Sequence, residues 1–296
     1  NLVQVAEYAT SRNIGDEPAF AWWVPYALRK RDVIVNAVNS RVCCTSHKYG
    51  IELPTSVKHA IEIDLKNGDN FWQDALKKEM GNVCIAFDIL GPNERAPPGW
   101  SKASGHIIFD IKMDFTRKAR WVKDGHKTPD SLTSSFAGVV SRDSICITLT
   151  HAALLGLPIL GADIRNAHLQ APSSEKHYVI CGLEFGIENE GRVGLIRRAL
   201  YGGKVAGRDF WHHLRDCMGH LGFSSSRADP DVWYRLSKRA TGEDYYEYVL
   251  LYVDDVLVIS ERADSLLRKE IGQHFVLREE SIGPPSLYLG GKLREI

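Results

Sequence analysis

Apolar residues follow two rhythms along this chain. From Phe71 to Met80, from Ser141 to Leu157 and from Gly207 to Leu221 they return every three or four positions, the spacing that lines one side of a helix. Phe71, Trp72, Ala75, Leu76 and Met80 make the first stripe, which Gly81-Asn82 is expected to end. Ile145, Leu149, Ala152, Ala153 and Leu157 make the second, with Ser141 as its cap and Gly156 and Pro158 as its stop. Phe210, Leu214, Cys217, Met218 and Leu221 make the third, closed by Gly222. A further helical segment is expected from about Ala263 to Phe275.

Shorter runs read as strands: Ile107 to Asp114, Lys118 to Val122, Ile159 to Ile164, Val232 to Tyr234 and Leu287 to Leu293. Alternation puts Lys118 and Arg120 on one face of their strand and Ala119 and Trp121 on the other, a pair of cations suited to a polyphosphate. Tyr248 to Val253 and Val256 to Ile259 are separated only by Asp254-Asp255, which predicts a hairpin with two acids at its tip. Residues 1–60 are mixed and weakly periodic and are assigned to a connector. Helices and strands alternate without a fixed repeat, so the expected class is α+β.

Composition narrows the partners. The 296 residues are 44% hydrophobic and 25% charged with a formal net charge of zero, so any nucleic-acid surface must come from segregated charge. Basic clusters at Arg29-Lys30-Arg31, Arg117 to Lys123 and Arg197-Arg198 alternate with acidic stretches, Glu184 to Glu190 and Glu243 to Glu247. Taken singly, each has the look of a solvated face. The six cysteines form no CxxC pair and imply reduced thiols. No apolar run nears the ~20 residues needed to span a bilayer, and the amino end has no secretory pattern. The chain begins at Asn1 and stops in mid-pattern, so it is expected to be a piece of something longer.

The acids carry the candidate chemistry. Asp254 and Asp255 sit between apolar runs, where carboxylates are costly without a partner, and Asp163 ends the apolar run Leu157 to Ala162. If those strands are neighbours, Asp163 and Asp254 converge at one edge. Oxygen ligands of this kind suit Mg²⁺. Two such ions about 3.5–4 Å apart activate a 3′-hydroxyl and stabilise departing pyrophosphate, so the implied reaction is nucleotidyl transfer. An Asp-Asp pair is also ordinary turn chemistry, and a lone Asp before a helix is often a cap.

Six motifs in order resemble the reverse transcriptases of copia-type retrotransposons over residues 60–296. Lys118 to Val122 resembles K-A-R-L-V, and Ala162 to Leu169 resembles D-V-K-T-A-F-L. Ala199 to Trp211 resembles L-Y-G-L-K-Q-A-P-R-A-W-Y, and Asp229 to Trp233 resembles D-P-C-L-Y. Leu251 to Val256 resembles L-Y-V-D-D-I, and Tyr288-Leu289-Gly290 resembles F-L-G.

The resemblance implies a right-hand polymerase of fingers and palm over residues 61–296, with the thumb and RNase H largely absent. The palm is expected to be an antiparallel sheet that carries the Tyr252-Val253-Asp254-Asp255 hairpin, with helices on one face. By the same resemblance Asp163 and Asp254 ligate two Mg²⁺, for which Mn²⁺ could substitute, and Asp255 completes the cluster. Lys112, Lys118 and Arg120 hold the incoming triphosphate, and His168 stands where the family packs an aromatic residue under the sugar. Lys204, Gly207 and Tyr252 face template or primer, and Tyr288 and Gly290 grip the primer. The implied partners are an RNA template, a DNA primer, dNTP and the rest of a Pol polyprotein. The implied location is cytoplasmic, in a virus-like particle, and nuclear, with no membrane or secretion. Val205 and Asp209 depart from the family pattern, and so does His168. They leave open a degenerate or repurposed copy that keeps the fold, binds nucleic acid and does not polymerise. A cyclase-like palm enzyme would share the carboxylates alone.

Overall fold

The computed structural model describes residues 46–129, 134–288 and 291–293. The chain has mixed α and β structure with mostly antiparallel sheets. The described residues open with a hairpin, β1 (His47–Lys48) and β2 (Ile51–Glu52), and two helices, α1 (Val57–Asn67) and α2 (Phe71–Val83). Of the expected connector, residues 1–45 lie outside the described residues, and α1 runs across its far boundary. Capping defines α1: the Ser56 hydroxyl accepts from the His59 amide at 3.1 Å, and Gly68 closes the helix at φ 72°. Asp64, fully buried, accepts from the backbone of Trp72 at 3.1 Å and Gln73 at 2.9 Å, so the last turn of α1 caps α2. Gly81-Asn82 does not end α2 as expected. The Asn82 side-chain amide donates to the Lys78 carbonyl at 3.0 Å, one turn back, and the helix continues to Val83.

Next come β3 (Phe87–Ile89), β4 (Ser101–Lys102), β5 (Gly105–Ile111) and β6 (Arg117–Lys123). β5 and β6 form a separate hairpin that packs Phe109, Ile111 and Ala119 against Ala60, Ile63 and Trp72 of the two helices. α3 (Arg142–Leu155) has the expected caps: Ser141 accepts from the Ser144 amide at 3.2 Å, and Gly156 ends it at φ 61°. β7 (Ile159–Asp163) and the short α4 (Ala167–Gln170) follow. β8 (His177–Ile180) and β9 (Val193–Ile196) join β3 and β4 in a second sheet ordered β3-β9-β8-β4.

α5 (Ala206–His220) precedes β10 (Ser224–Ser225), β11 (Val232–Lys238), β12 (Asp244–Tyr252) and β13 (Asp255–Ile259). With β7 these strands make a five-stranded antiparallel sheet ordered β10-β11-β12-β13-β7. The helical segment expected next, α6, is irregular: Ala263–Ser265 and Gly272–His274 are α-helical and Leu266–Ile271 between them is a π-helix. The last expected strand is a small hairpin, β14 (Leu287–Tyr288) and β15 (Gly291–Lys292).

Helices cover both faces of the large sheet, which corrects the expectation of one. Ile145 and Leu157, in and just after α3, meet Leu250, Leu257 and Ile259. Phe210, Leu214 and Met218 of α5, with Leu266 and Ile271 of α6, meet Val249, Leu251, Val256 and Val258. The cause is in the strands: Val249, Leu250 and Leu251, and then Val256, Leu257 and Val258, are apolar without alternation, so both faces must be covered.

Among the described residues, three other than glycine or asparagine have positive φ: Tyr49 at 53°, Phe115 at 61° and Val253 at 54°. The left-handed region costs such residues about 1–2 kcal/mol each. Tyr49 lies in the β1–β2 turn and Phe115 in the β5–β6 turn, and their rings meet edge to face at 6.0 Å. A ring pair of this kind contributes about 0.5–1.5 kcal/mol, less than the strain of two such residues together.

Asp124, just past β6, accepts from Ser104 Oγ at 2.7 Å, His106 Nδ1 at 2.8 Å and Lys127 Nζ at 2.8 Å. The hydrogen bond from Lys127, then that from Ser104, hold its carboxyl down at about 2. Its folded value lies below the unfolded value of about 3.9, so its stabilisation is present above pH ~4 and is lost as pH falls toward 2. Urea midpoints measured across that window should fall less steeply for Asp124→Asn than for the parent chain.

Candidate active site

β7 and β13 are neighbours, and their register sets Asp163 opposite Asp255. Tyr252 pairs with Asp255 at the end of the β12–β13 hairpin, leaving Val253 and Asp254 as the two turn residues. The Asp254 carbonyl accepts from the Ile164 amide at 2.8 Å, which ties the turn to the end of β7. Thus the three sequence-predicted carboxylates sit at one edge of the large sheet. The turn bends through the left-handed φ of Val253, an unfavourable conformation for a β-branched residue.

Charge is crowded there. Burial, and then Asp254 and Asp163, push the Asp255 carboxyl up, against an opposing pull from Arg278. Burial also raises Asp163; Arg278 pulls it down, while Asp254 and Glu280 add to the rise. Asp163 Oδ2 receives Arg278 Nη1 at 3.2 Å, but Asp163 Oδ1 is buried with no hydrogen-bond partner among the described residues. Hard oxygen donors, mutual repulsion and an orphaned oxygen fit a divalent cation. Among the described residues no three acidic, histidine or cysteine groups are already disposed to hold one.

The cations lie on the β5–β6 hairpin. Lys118 and Arg120 share the partly exposed face of β6, opposite the buried Ala119 and Trp121, as alternation predicts. Burial, and then the neighbouring charges of Arg120 and Lys112, lower the Lys118 ammonium. Lys112 lies exposed where β5 enters its turn. The Arg120 guanidinium lies 4.4 Å from the centre of the Tyr201 ring, and the His168 ring meets Tyr201 edge to face at 5.0 Å. Burial holds His168 low, with Asp254 acting to raise it and Arg120 to lower it. Arg120, Tyr201, His168 and Asp254 therefore form one continuous set. His168 Nδ1 is buried without a partner among the described residues.

Tyr201 is absent from the sequence-predicted site residues. Its signal was the aromatic ring directly before Gly202-Gly203 in a quoted motif. Gly202 takes φ 82°, and a Cβ there would fall 2.2 Å from the Lys123 carbonyl oxygen; one at Gly125 would fall 2.1 Å from that of Gly202. The base of the β5–β6 hairpin and the loop bearing Tyr201 are thus in direct backbone contact.

The other predicted residues are dispersed. Lys204 Nζ donates to the Thr128 carbonyl at 2.8 Å. Gly207, in the first turn of α5, lines an apolar recess with Gly138, Val139, Trp211, Leu251 and Val253 beside the acidic turn. A Cβ at Gly207 would make an ordinary 3.8 Å contact with Ala137, so internal packing does not demand glycine. Asp209 turns inward: it is buried and accepts from the Ser174 amide at 2.9 Å and hydroxyl at 2.8 Å. Tyr252 and Tyr288 pack at the margin of the α3-side core. Burial, and then Asp255 and Tyr252, push the Tyr288 phenol up. Gly290 lies outside the described residues. Among the described residues no helix is long and apolar enough to cross a membrane.

Comparison with known proteins agrees with the family resemblance. A family model described as reverse transcriptase (RNA-dependent DNA polymerase) matches residues 96–296. The chain is 28% identical over 228 residues to the retrovirus-related Pol polyprotein from transposon RE2 of Arabidopsis thaliana, covering 71% of this chain and 15% of that protein. It is 31% identical over 202 residues to the Pol polyprotein from transposon RE1 of the same plant, covering 64% and 13%. It is 26% identical over 198 residues to that from transposon TNT 1-94 of Nicotiana tabacum, covering 63% and 14%. The chain therefore spans about a seventh of the length of these relatives. With well over half its length inside that model, the chain belongs to the reverse transcriptase (RNA-dependent DNA polymerase) family, in the branch carried by copia-type transposon Pol polyproteins.

Proposed function

We propose that the chain carries the fingers and palm of a right-hand polymerase and adds dNTP to the 3′-hydroxyl of a DNA primer on an RNA template. The observation that carries this reading is the pairing of Asp163 with Asp255, with Asp254 at the adjoining turn and one oxygen of Asp163 buried and unpartnered. The polymerase part is residues 61–296, preceded by a connector. In this reading β5–β6 with the helices packed on it forms the fingers, and the five-stranded sheet forms the palm.

Asp163, Asp254 and Asp255 would hold two Mg²⁺, which when bound lower the pKa of the primer hydroxyl and neutralise charge on the departing pyrophosphate. Lys118 and Arg120 present adjacent positive groups to the triphosphate, with Lys112 nearer the tip. Tyr201 fixes the plane of the Arg120 guanidinium and braces His168, which lies beneath the sugar. Lys204, Gly207 and Tyr252 face the template and primer, and Tyr288 and Gly290 support the primer end. The test is extension of a DNA primer on an RNA template by the purified chain with Mg²⁺ or Mn²⁺; no extension with either ion overturns the reading.

His168 sets an expectation of its own. His168→Phe replaces a buried, unpartnered nitrogen with carbon, so thermal stability should not fall. A larger, apolar ring beneath the sugar should raise the preference for dNTP over rNTP by about tenfold, read as the ratio of kcat/KM values.

One observation favours a second reading, a copy that binds nucleic acid without polymerising: Arg278 lies on Oδ2 of Asp163, a carboxylate the first reading gives to a cation. Strongly salt-dependent binding with no extension would select it.

A further inference from the structure

The tips of two hairpins distant in sequence meet and expose aromatic rings among cations. Tyr49 is 53% exposed, Phe115 56% and Phe71 55%. Lys48 Nζ lies 5.5 Å from the centre of the Tyr49 ring, and the Arg117 guanidinium lies 5.2 Å from that of Phe71. Arg117 also donates to the Phe115 carbonyl at 2.6 Å, holding the turn in place. Burial does not explain the rings, which stay more than half in water, and their mutual contact does not offset the left-handed backbone that presents them. Among the described residues Lys48, Lys112, Arg117 and Lys118 outnumber Asp110 and Asp114 at the tip, and of these cations Lys48 alone is paired there with another described residue in a salt bridge, to Asp110 at 2.5 Å.

We infer that Tyr49 and Phe115 form a platform on which unpaired bases of a single-stranded nucleic acid stack while Lys112 and Arg117 meet its phosphates. The chemistry favours this occupant: π faces accept any base, and the local excess of positive charge complements a polyanion. An apolar protein partner would leave those cations without counter-charges. The inference rests on the nucleic-acid reading of the chain, but it concerns binding alone and needs neither metal nor dNTP.

Two substitutions remove the rings without burdening the fold. Tyr49→Asn puts asparagine directly before Gly50, giving Asn-Gly, the preferred pair for a turn whose residues have φ 53° and 77°. Phe115→Gly places at φ 61° the residue that tolerates it best. Fluorescence anisotropy with a labelled oligoadenylate of about twelve nucleotides, in EDTA, reads the platform directly. Each variant should bind about five- to tenfold more weakly, with a thermal midpoint equal to or above that of the parent. Parental affinity in both variants, or no binding by the parent chain, overturns the platform. The two readings can fail separately. A chain that extends primers while both variants bind normally loses only the platform; one that extends none, yet binds through these rings, loses only the polymerase assignment.

Discussion

Asp254→Asn is expected to lower primer extension by about a hundredfold or more while leaving the protein folded. The Asp254 carbonyl, not its carboxylate, ties the turn to β7 through the Ile164 amide at 2.8 Å, and asparagine keeps that carbonyl. Asp254 also raises both Asp163 and Asp255 by repulsion, so neutralising it relieves strain in the metal-free protein. The thermal midpoint without metal should therefore equal or exceed that of the parent. Together, lost extension and retained stability separate a chemical role from a structural one. A variant that extends primers at the parental rate would remove Asp254 from the chemistry, and one that fails to fold would show that the carboxylate holds the hairpin.

The largest effect on stability is expected at the opposite end of β12. Glu247 is fully buried on the α5 and α6 side of the sheet. It accepts from Arg235 Nη2 at 2.8 Å, Arg262 Nε at 2.8 Å and Ser260 Oγ at 2.8 Å. Burial pushes its carboxyl up, but the hydrogen bonds from Arg262, Arg235 and Ser260 outweigh that and hold it below the usual glutamate value. Removing it strands two guanidinium groups, although Glu270 still meets Arg235 at 2.9 Å and Arg262 at 3.0 Å. Glu247→Ala should cost about 3 kcal/mol, toward the low end for a broken buried pair because Glu270 remains. Urea unfolding measures this, and a change under about 0.5 kcal/mol would place the group among ordinary surface charges. A depressed carboxyl stabilises above its unfolded value and loses that effect as pH falls, so the variant's deficit should shrink below pH ~4.

Glu247 also marks where the sequence is hard to read. It falls in the stretch Glu243 to Glu247, which has the composition of a solvated face, yet strand alternation turns it into the core. Lys123 is misleading in the same way. It ends a basic cluster but is only 3% exposed, with Nζ 2.8 Å from both Glu175 Oε2 and His177 Nδ1. Asp64 and Asp209 likewise occupy interior positions that the pattern reserves for apolar residues, and Asp64 helps to hide α1. A charge buried with its partners looks in sequence like a charge in water. α3, β7, α5 and the β12–β13 strands were legible because their stripes are long or unbroken and local caps mark the ends of α3. The pairing of β8 with β9, four residues each, had no such signal. At the site, Asp163 and the Asp254-Asp255 turn stood out as acids set against apolar runs, whereas Tyr201 matters through two contacts made across the fold.

The backbone contact between Gly125 and Gly202 leaves no room for a side chain at either position, so the base of the β5–β6 hairpin and the Tyr201 loop are seated as one piece. Each arm is seven residues long, so its tip lies about 23 Å from that seat. Phe109, Ile111 and Ala119, packed on Ala60, Ile63 and Trp72, hold the arm along its length, so the spacing between the Phe115 rim and the acidic edge is set by packing.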